Sequence, residues 1–296
     1  MQIEEALERY VEQLEANGRS QHTVQQARRH VMLMATWLAA QKFECDVQQI
    51  AHEHVAKFLA SNVVRQRADG GPRLATSANA IRSSLRAFFA FVNAASYAPT
   101  NAARLVRRAS APPPPPRALA EADATKLVAA LARATTVGER RDRVLFTVML
   151  RCGLRLGSAI GLNVEDVDLE RATLRLRRTK GGGEFIAFVP EDVVELLRDH
   201  IGVRRSGPMF LGSHGARLGG RQARRRLALW AAAAEIDDGA HPHQLRHSFA
   251  QRIYDRTGDL LVTGRALGHR SITSTQVYAR VSDAVVRNSL SIRSDK

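Results

Sequence analysis

The sequence predicts a mainly α-helical protein with a small antiparallel β-sheet: an all-α N-terminal domain and an α/β C-terminal domain. Before residue 108 apolar residues recur at helical spacing, and no strand pattern occurs. Residues 109–117 read ASAPPPPPR, and five consecutive prolines favour an extended, semi-rigid spacer. Leucine and arginine alternate over 171–179, which predicts a strand with one wet face, and 184–189 returns as its hairpin partner.

The N-terminal domain is predicted to be a small helical bundle. Ser20 to Thr23 can cap its second helix, and residues 66–76 form a basic, glycine-rich loop before its last. Helices are expected at 2–16, 22–41, 47–60 and 76–94.

The C-terminal domain is predicted to be mainly helical around the hairpin. Its second helix ends at Gly153, a residue type that favours the position just after a helix. Helices are expected at about 118–133, 138–152, 191–202, 219–236, 241–256 and 259–267.

Charge points to a polyanionic partner. The chain has 296 residues and a formal net charge of +15. Residues 1–108 hold 14 Lys and Arg against 9 Asp and Glu, so the N-terminal part is basic, as is the remainder. We therefore expect both domains to contact nucleic acid, either DNA or RNA.

The same composition excludes other classes of protein. No apolar run approaches the roughly 20 residues of a membrane span, and the acidic, amphipathic N-terminus is not a signal peptide. Cys45 and Cys152 are far apart and in apolar contexts, which predicts two reduced, partly buried thiols in a cytosolic protein.

A set of basic and hydroxyl-bearing side chains near the C-terminus suits phosphate chemistry. His243 and Arg246 are three residues apart on a helix that Pro242 can start, so they share a face. His269 follows Leu-Gly, and Tyr278 comes nine residues later in a segment that we interpret as a new helix start. Arginine matches phosphate oxygens bidentately, and tyrosine can act as a covalent nucleophile.

This ordered set resembles the tyrosine recombinase (phage integrase, Xer-like) family. The family's box of His-x-x-Arg, Leu-Gly-His and a tyrosine nine residues on stands here as His243 to Arg246, Leu267 to His269, and Tyr278. Gly153-Leu154-Arg155 resembles its first arginine motif, and Lys180 before three glycines matches its catalytic lysine.

The resemblance covers nearly the whole chain and implies its organisation. Residues 1–108 correspond to a helical core-binding (SAM-like) DNA-binding domain, 109–117 to the linker, and 118–296 to the catalytic domain. The implied catalytic residues, with Tyr278 as nucleophile, are Arg155, Lys180, His243, Arg246, His269 and Tyr278.

The family's activity is to cut DNA through a 3′-phosphotyrosine and exchange strands between two duplexes. The implied partners are double-stranded DNA with paired specific sites, and a homotetramer on DNA or a pairing with a related recombinase. An accessory directionality protein is a further candidate partner. No cofactor, metal or membrane is implied.

Residue type supports the role of Lys180 independently. Only five of the 44 basic residues are lysines, yet the predicted hairpin tip carries one. Lysine can give up a proton when neighbouring cations lower its pKa, whereas arginine effectively cannot, so a general acid needs lysine.

Several alternatives stay open. His243, His247 and His241 have a spacing that could bind zinc, but Arg246 lies among them and no cysteine cluster is near. Tyr254 also lies near the box, although its apolar neighbours indicate core packing. Arg224 to Arg226 form either a phosphate-contacting face or a solvated one.

One departure from the family pattern affects the first motif. The family often has an acidic residue after the first arginine where this chain has Ser158. Glu165 or Asp166 could substitute for that acid. The departure keeps open a second function, a non-catalytic DNA-binding relative. A third is a topoisomerase IB-type enzyme that nicks and reseals a single duplex.

Overall fold

The computed structural model describes residues 1–109, 117–177, 183–212, 215–268 and 275. The chain divides into two units, Met1–Pro113 and Pro114–Lys296, and each has its own apolar core. Among the described residues, none of the helices combines the length and apolar character that a membrane crossing requires.

The first unit is all-helical in its regular elements. Its helices are α1 (Ile3–Ala16), α2 (Gln21–Ala40), α3 (His52–Ala60), α4 (Asn62–Arg65) and α5 (Ala75–Ala94). As predicted, Ser20 caps α2, since its hydroxyl accepts the Thr23 N–H at 3.3 Å. Phe58, Phe88 and Phe89 are fully buried in its core.

The third helix of this unit starts later than the sequence predicts. Residues 47–51 are expected to be helical, but α3 begins at His52. The Asp46 carboxylate accepts the Gln48 N–H at 2.8 Å and pairs with the N-terminal ammonium at 3.0 Å. These bonds hold residues 46–50 in turns, because an aspartate that binds a backbone N–H two residues on favours a turn over a helix.

The second unit surrounds one small sheet with helices. Its elements are α6 (Glu121–Ala132), α7 (Val137–Cys152), α8 (Leu156–Gly161), a 3₁₀ turn (Val164–Asp166), β1 (Val167–Asp168), β2 (Thr173–Leu176), β3 (Phe185–Phe188), α9 (Glu191–Ile201), α10 (Gly220–Ala233), α11 (Pro242–Thr257) and α12 (Leu260–Leu267). The sequence did not predict α4, α8, the 3₁₀ turn or β1. The first three of these are shorter than the window that helical periodicity requires.

The sheet has the antiparallel order β1-β2-β3. Leu174 pairs with Ala187 and both are buried, whereas Arg175 pairs with Ile186 and both are exposed. The predicted hairpin with one wet face is therefore confirmed, because side chains alternate between the two faces of a strand.

Helix α7 is fixed at both ends, which matters for the site that follows it. The Thr136 hydroxyl accepts the Glu139 N–H, and the Glu139 carboxylate accepts the Thr136 N–H at 3.0 Å. These hydrogen bonds, led by those from the backbone of Thr136 and Thr135, lower the pKa of Glu139 to about 2. At the other end, Gly153 has the left-handed conformation that ends many helices.

Candidate active site

Arg246 is buried and joins the ends of two helices. Its Nη1 donates to the carbonyl oxygen of Gly153 at 2.6 Å, and its Nη2 donates to the carbonyl oxygen of Leu267 at 2.8 Å. Gly153 follows α7, and Leu267 is the last residue of α12. Two separate sequence motifs thus meet at one guanidinium, whose plane these bonds fix.

Two glycines make this meeting possible. Gly153 has a φ of +68°, and a Cβ there would lie 2.3 Å from Cδ1 of Phe249, on α11. Gly268 has a φ of +63°, and its Cβ would lie 2.9 Å from the ring of Phe185, on β3. Any side chain at either position would be strained by the dihedral angle and would collide with an aromatic ring.

Arg155 starts α8 two residues after Gly153. It occupies the N-cap position with extended backbone, and its side chain is partly exposed. Leu154, between the two, is buried and fixes the chain direction at this corner. The charge of Arg155 is close enough to His243 to lower the pKa of the His243 imidazole.

His243 lies in the first turn of α11, directly after Pro242. Its side chain reaches solvent, although its neighbours partly desolvate the ring. That partial burial lowers the pKa of His243, and the charges of Arg246, Arg155 and Arg224 lower it further. A neutral imidazole that can accept a proton is therefore favoured at neutral pH.

His247 lies one turn along α11 and is half-buried. Burial, followed by His243 and Arg246, lowers the pKa of His247. At the helix start, the His241 N–H donates to Oε1 of Gln244 at 2.6 Å. Within the described parts of the chain, no three His, Cys, Asp or Glu side chains are grouped so that they could hold a metal ion.

The structure brings together three of the six predicted catalytic residues: Arg155, His243 and Arg246. Lys180, His269 and Tyr278 lie outside the described residues. The strands that flank the Lys180 segment are described, and Leu176 pairs with Phe185 at the end of their ladder. Gly268 places the chain just before His269 against that same phenylalanine.

The two candidate substitutes for the missing acid have other partners. The Glu165 carboxylate accepts the Gly207 N–H at 3.1 Å and the Asn163 side-chain amide at 3.0 Å. The Asp166 carboxylate is buried and binds the Asn163 N–H at 2.9 Å and the Arg177 guanidinium. Both carboxylates thus stabilise the turn before β1. Ser158, at the position of the usual acid, is partly exposed on α8.

The other tyrosine and the two thiols have surroundings that bear on their predicted roles. Tyr254 is half-buried and is not part of the small core that contains Phe249 and Ile253. Cys45 and Cys152 are unpaired. Cys152 is buried, which raises the pKa of its thiol to about 12 and makes it unreactive.

The arginine cluster on α10 is not uniform, which sequence reasoning did not resolve. Arg224 and Arg225 are exposed, whereas Arg226 binds the buried carboxylate of Asp142 on α7. Asp142 also accepts the indole N–H of Trp230 at 3.1 Å. No sequence pattern marks Asp142 as the buried partner, since it stands within a run of charged residues.

Models of known protein families match both parts of the chain. The phage integrase family matches residues 117–284, and the phage integrase N-terminal SAM-like domain matches residues 7–95. Tyrosine recombinase XerC of Chromobacterium violaceum is 33 % identical over 281 residues, covering 93 % of this chain and 90 % of that protein. Tyrosine recombinase XerD of Mycobacterium leprae is 29 % identical over 287 residues, covering 90 % and 89 %.

Solved structures of similar fold include recombinases bound to DNA. XerH site-specific recombinase bound to its difH substrate superposes with a TM-score of 0.71 at 19 % identity, covering 98 % of this chain and 84 % of that one. A lambda integrase tetramer bound to a Holliday junction superposes with a TM-score of 0.70 at 19 % identity, covering 92 % and 79 %. At this identity the likeness concerns the fold.

Proposed function

This chain belongs to the phage integrase family of tyrosine recombinases, enzymes that cut and rejoin DNA, and from that premise we propose how its own residues do so. One observation carries the proposal. The Arg246 guanidinium binds the carbonyls of Gly153 and Leu267, which belong to the first arginine motif and to the Leu-Gly-His motif. The two motifs therefore converge on one point, as a shared phosphate site requires.

Arg155 and Arg246 hold the non-bridging oxygens of the phosphate that is cut. Attack on a phosphodiester concentrates negative charge on these oxygens, and fixed cations stabilise that charge without reorganisation. The two carbonyl bonds hold the Arg246 plane in place before DNA arrives. Fixed guanidinium groups thereby do the work that a metal ion does in many nucleases.

Tyr278 is the nucleophile. Its oxygen forms a bond to phosphorus while the bond from phosphorus to the 5′-oxygen breaks, which leaves a 3′-phosphotyrosine and a 5′-hydroxyl. His243 takes the tyrosine proton, Lys180 gives a proton to the departing 5′-oxygen, and His269 adds a hydrogen bond to the phosphate. Reversal with a different 5′-hydroxyl reseals the strand and completes an exchange without ATP.

The substrate is double-stranded DNA with paired specific sites. Four copies of this chain assemble on it, or this chain pairs there with a related recombinase. The chain after Tyr278 docks on a neighbouring copy, and an accessory protein sets direction. The tetrameric lambda integrase on a Holliday junction supports the assembly by likeness of fold. Both parts of the chain bind DNA: the helical part, residues 1–108, and the catalytic part, residues 118–296, which the linker 109–117 joins. The reaction takes place in the cytoplasm.

Recombination is favoured over the two other functions. Relatives that align over most of this chain are named as recombinases, which one would not expect of a topoisomerase-type enzyme. Ser158 in place of the usual acid removes no residue that touches the phosphate.

The test is covalent capture. The duplex is first selected by binding from a random-sequence library and is then nicked so that cleavage traps the complex. Tyr278→Phe should abolish the adduct that survives denaturation and leave binding nearly unchanged, because the hydroxyl is a small part of a basic interface. Tyr254→Phe, the matched control, should keep the adduct. An adduct in Tyr278→Phe would refute the assignment.

A further inference from the structure

Three consecutive arginines on α10 occupy different surroundings. Arg226 binds Asp142, which is fully buried and also accepts from Trp230. Residues two apart on a helix point roughly 200° apart, so anchoring Arg226 on α7 turns Arg224 to the opposite side. Arg224 is accordingly exposed.

The start of α10 is tied to α8. Arg217 donates from Nη1 to the carbonyls of Ile160 and Leu162, each at 2.8 Å. A Cβ on Gly220 would lie 3.8 Å from Cδ1 of Ile160 and 3.5 Å from Nη1 of Arg224. The Arg224 side chain therefore lies back along the first turn of α10, the turn that packs on α8.

The position of Arg224 relates it to the site. Arg155 is the N-cap residue of α8, and eight residues separate the end of α10 from the start of α11, which carries His243. The Arg224 charge acts on His243 together with those of Arg155 and Arg246. Among the described residues no carboxylate lies within ion-pair distance of Arg224, although several other arginines of this unit have one.

We propose that Arg224 is a further phosphate-binding residue of this active site and neutralises the phosphate next to the cleaved one on the same strand. The proposal rests on the proposed function, in which Arg155 and Arg246 already hold the oxygens of the cleaved phosphate and His243 takes the tyrosine proton. An exposed guanidinium beside them, on a helix anchored elsewhere, is suited to the neighbouring phosphate. Arginine binds a phosphate through two parallel N–H groups, which fix the orientation of the guanidinium on that phosphate.

Arg224 also bears on the ionisation of His243. The titratable and charged groups that act on His243 are Arg246 and His247 on α11, Arg155 at the N-cap of α8 and Arg224 on α10. Loss of Arg224 removes a cation and leaves a phosphate unneutralised. Both changes favour the imidazolium, so the pKa of His243 should rise and cleavage should require a higher pH.

The experiment compares Arg224→Ala with Arg225→Ala in the full-length chain. Both positions are exposed neighbours on one helix, so both variants should fold as the parent does, which thermal unfolding checks. On the selected, nicked duplex, Arg224→Ala should cleave about 10–100-fold more slowly, the cost of a lost charge-assisted bond. The acidic limb of its pH profile should move upward, whereas the limb of Arg225→Ala should not move.

Single neutral methylphosphonates then locate the contact. When the phosphate next to the cut is replaced by a neutral methylphosphonate, the parent protein should bind the duplex more weakly. The Arg224→Ala variant should lose no further affinity, because the methylphosphonate and the substitution remove the same contact. The slope of log affinity against log salt should fall by about 0.9 in either case, a readout that needs no cleavage. If the parent forms no Tyr278-dependent adduct, the proposed function is wrong. The salt slope still shows in that case whether Arg224 contacts a phosphate.

Two results would overturn the proposal. The first is that Arg224→Ala and Arg225→Ala have the same affinity for DNA at every position of the methylphosphonate. The second is that Arg224→Ala has no further effect only when the cleaved phosphate itself is neutral, which would make Arg224 a ligand of that phosphate.

Discussion

At the scale of single residues, the proposed reaction depends on which groups carry protons. In that proposal His243 is neutral when it accepts the tyrosine proton, whereas Lys180 is charged when it gives one. The arginines near His243 favour its role, since nearby cations lower the pKa of an imidazole. A lowered pKa keeps the His243 imidazole neutral near neutral pH, as a base requires.

The pH dependence of cleavage should report His243. Its pKa lies below the ordinary 6.5, chiefly because of partial burial and then because of Arg246, Arg155 and Arg224. The neutral fraction rises with pH through that lowered value, so cleavage should rise with pH with a midpoint below 6.5 and then level off. His243→Ala should lose this acidic limb, and His247→Asn should keep it. A midpoint at 6.5 or higher in the parent would contradict the assignment.

Lys180 should be the acid for the leaving 5′-oxygen. Lys180→Ala should slow cleavage about 10²–10⁴-fold, and Lys180→Arg should not restore it, because a guanidinium holds its proton. A substrate with sulfur in place of the 5′-bridging oxygen should rescue Lys180→Ala, since a thiolate leaves without a proton.

The control for this chemistry is Arg155→Ala, whose defect lies on the non-bridging oxygens. The sulfur substrate should not rescue it. If that substrate leaves Lys180→Ala as slow as before, Lys180 is a positioning residue, and the argument from residue type is wrong.

At the scale of elements, Gly153→Ala tests the junction of α7 with α11. A Cβ at φ +68° and 2.3 Å from Phe249 combines backbone strain with a collision. The free energy of unfolding should fall by about 2–4 kcal/mol, and cleavage should fall further because the carbonyl that orients Arg246 moves. Chemical denaturation measures the first effect, and single-turnover cleavage measures the second.

Gly258→Ala is the matched control for this substitution. Gly258 has a φ of +64°, but a Cβ there would meet no atom within 4 Å, so the substitution isolates the dihedral strain. Its cost should be about 1 kcal/mol. Equal costs at both positions would show that the Phe249 contact adds nothing.

How far the sequence predicted these elements depended on their length. The family, the fold class and the long helices are confirmed, because each long helix repeats its apolar positions often enough to be recognised. The short α4 and α8 were missed, and α3 starts later because Asp46 binds the preceding turn. Local periodicity carries no information about such short or side-chain-capped segments.

The site divides in the same way. Motif spacing predicted Arg155, His243 and Arg246, and the structure brings these three together. The buried bond of Arg226 to Asp142 and the different surroundings of Arg224 could not be predicted, because they depend on the packing of α10 on α7. The predictions for Lys180, His269 and Tyr278 stay predictions.

At the scale of the whole molecule, charge should govern the affinity for DNA. Both parts of the chain are basic, and the total is +15. If both parts bind one duplex, log affinity should fall steeply with log salt, by about 0.9 for each phosphate contact. The two units, divided at Pro113, each have a core of their own, so each can be prepared separately and measured alone.

Each separate unit should show a shallower slope than the full chain, because it neutralises fewer phosphates. Joining the units should also strengthen binding beyond either alone, since a proline-rich linker holds the second unit at high effective concentration. Fluorescence anisotropy on the selected duplex over a range of salt concentrations measures both quantities. Equal slopes for one isolated unit and for the full chain would contradict this prediction, because they would show that the other unit does not bind DNA.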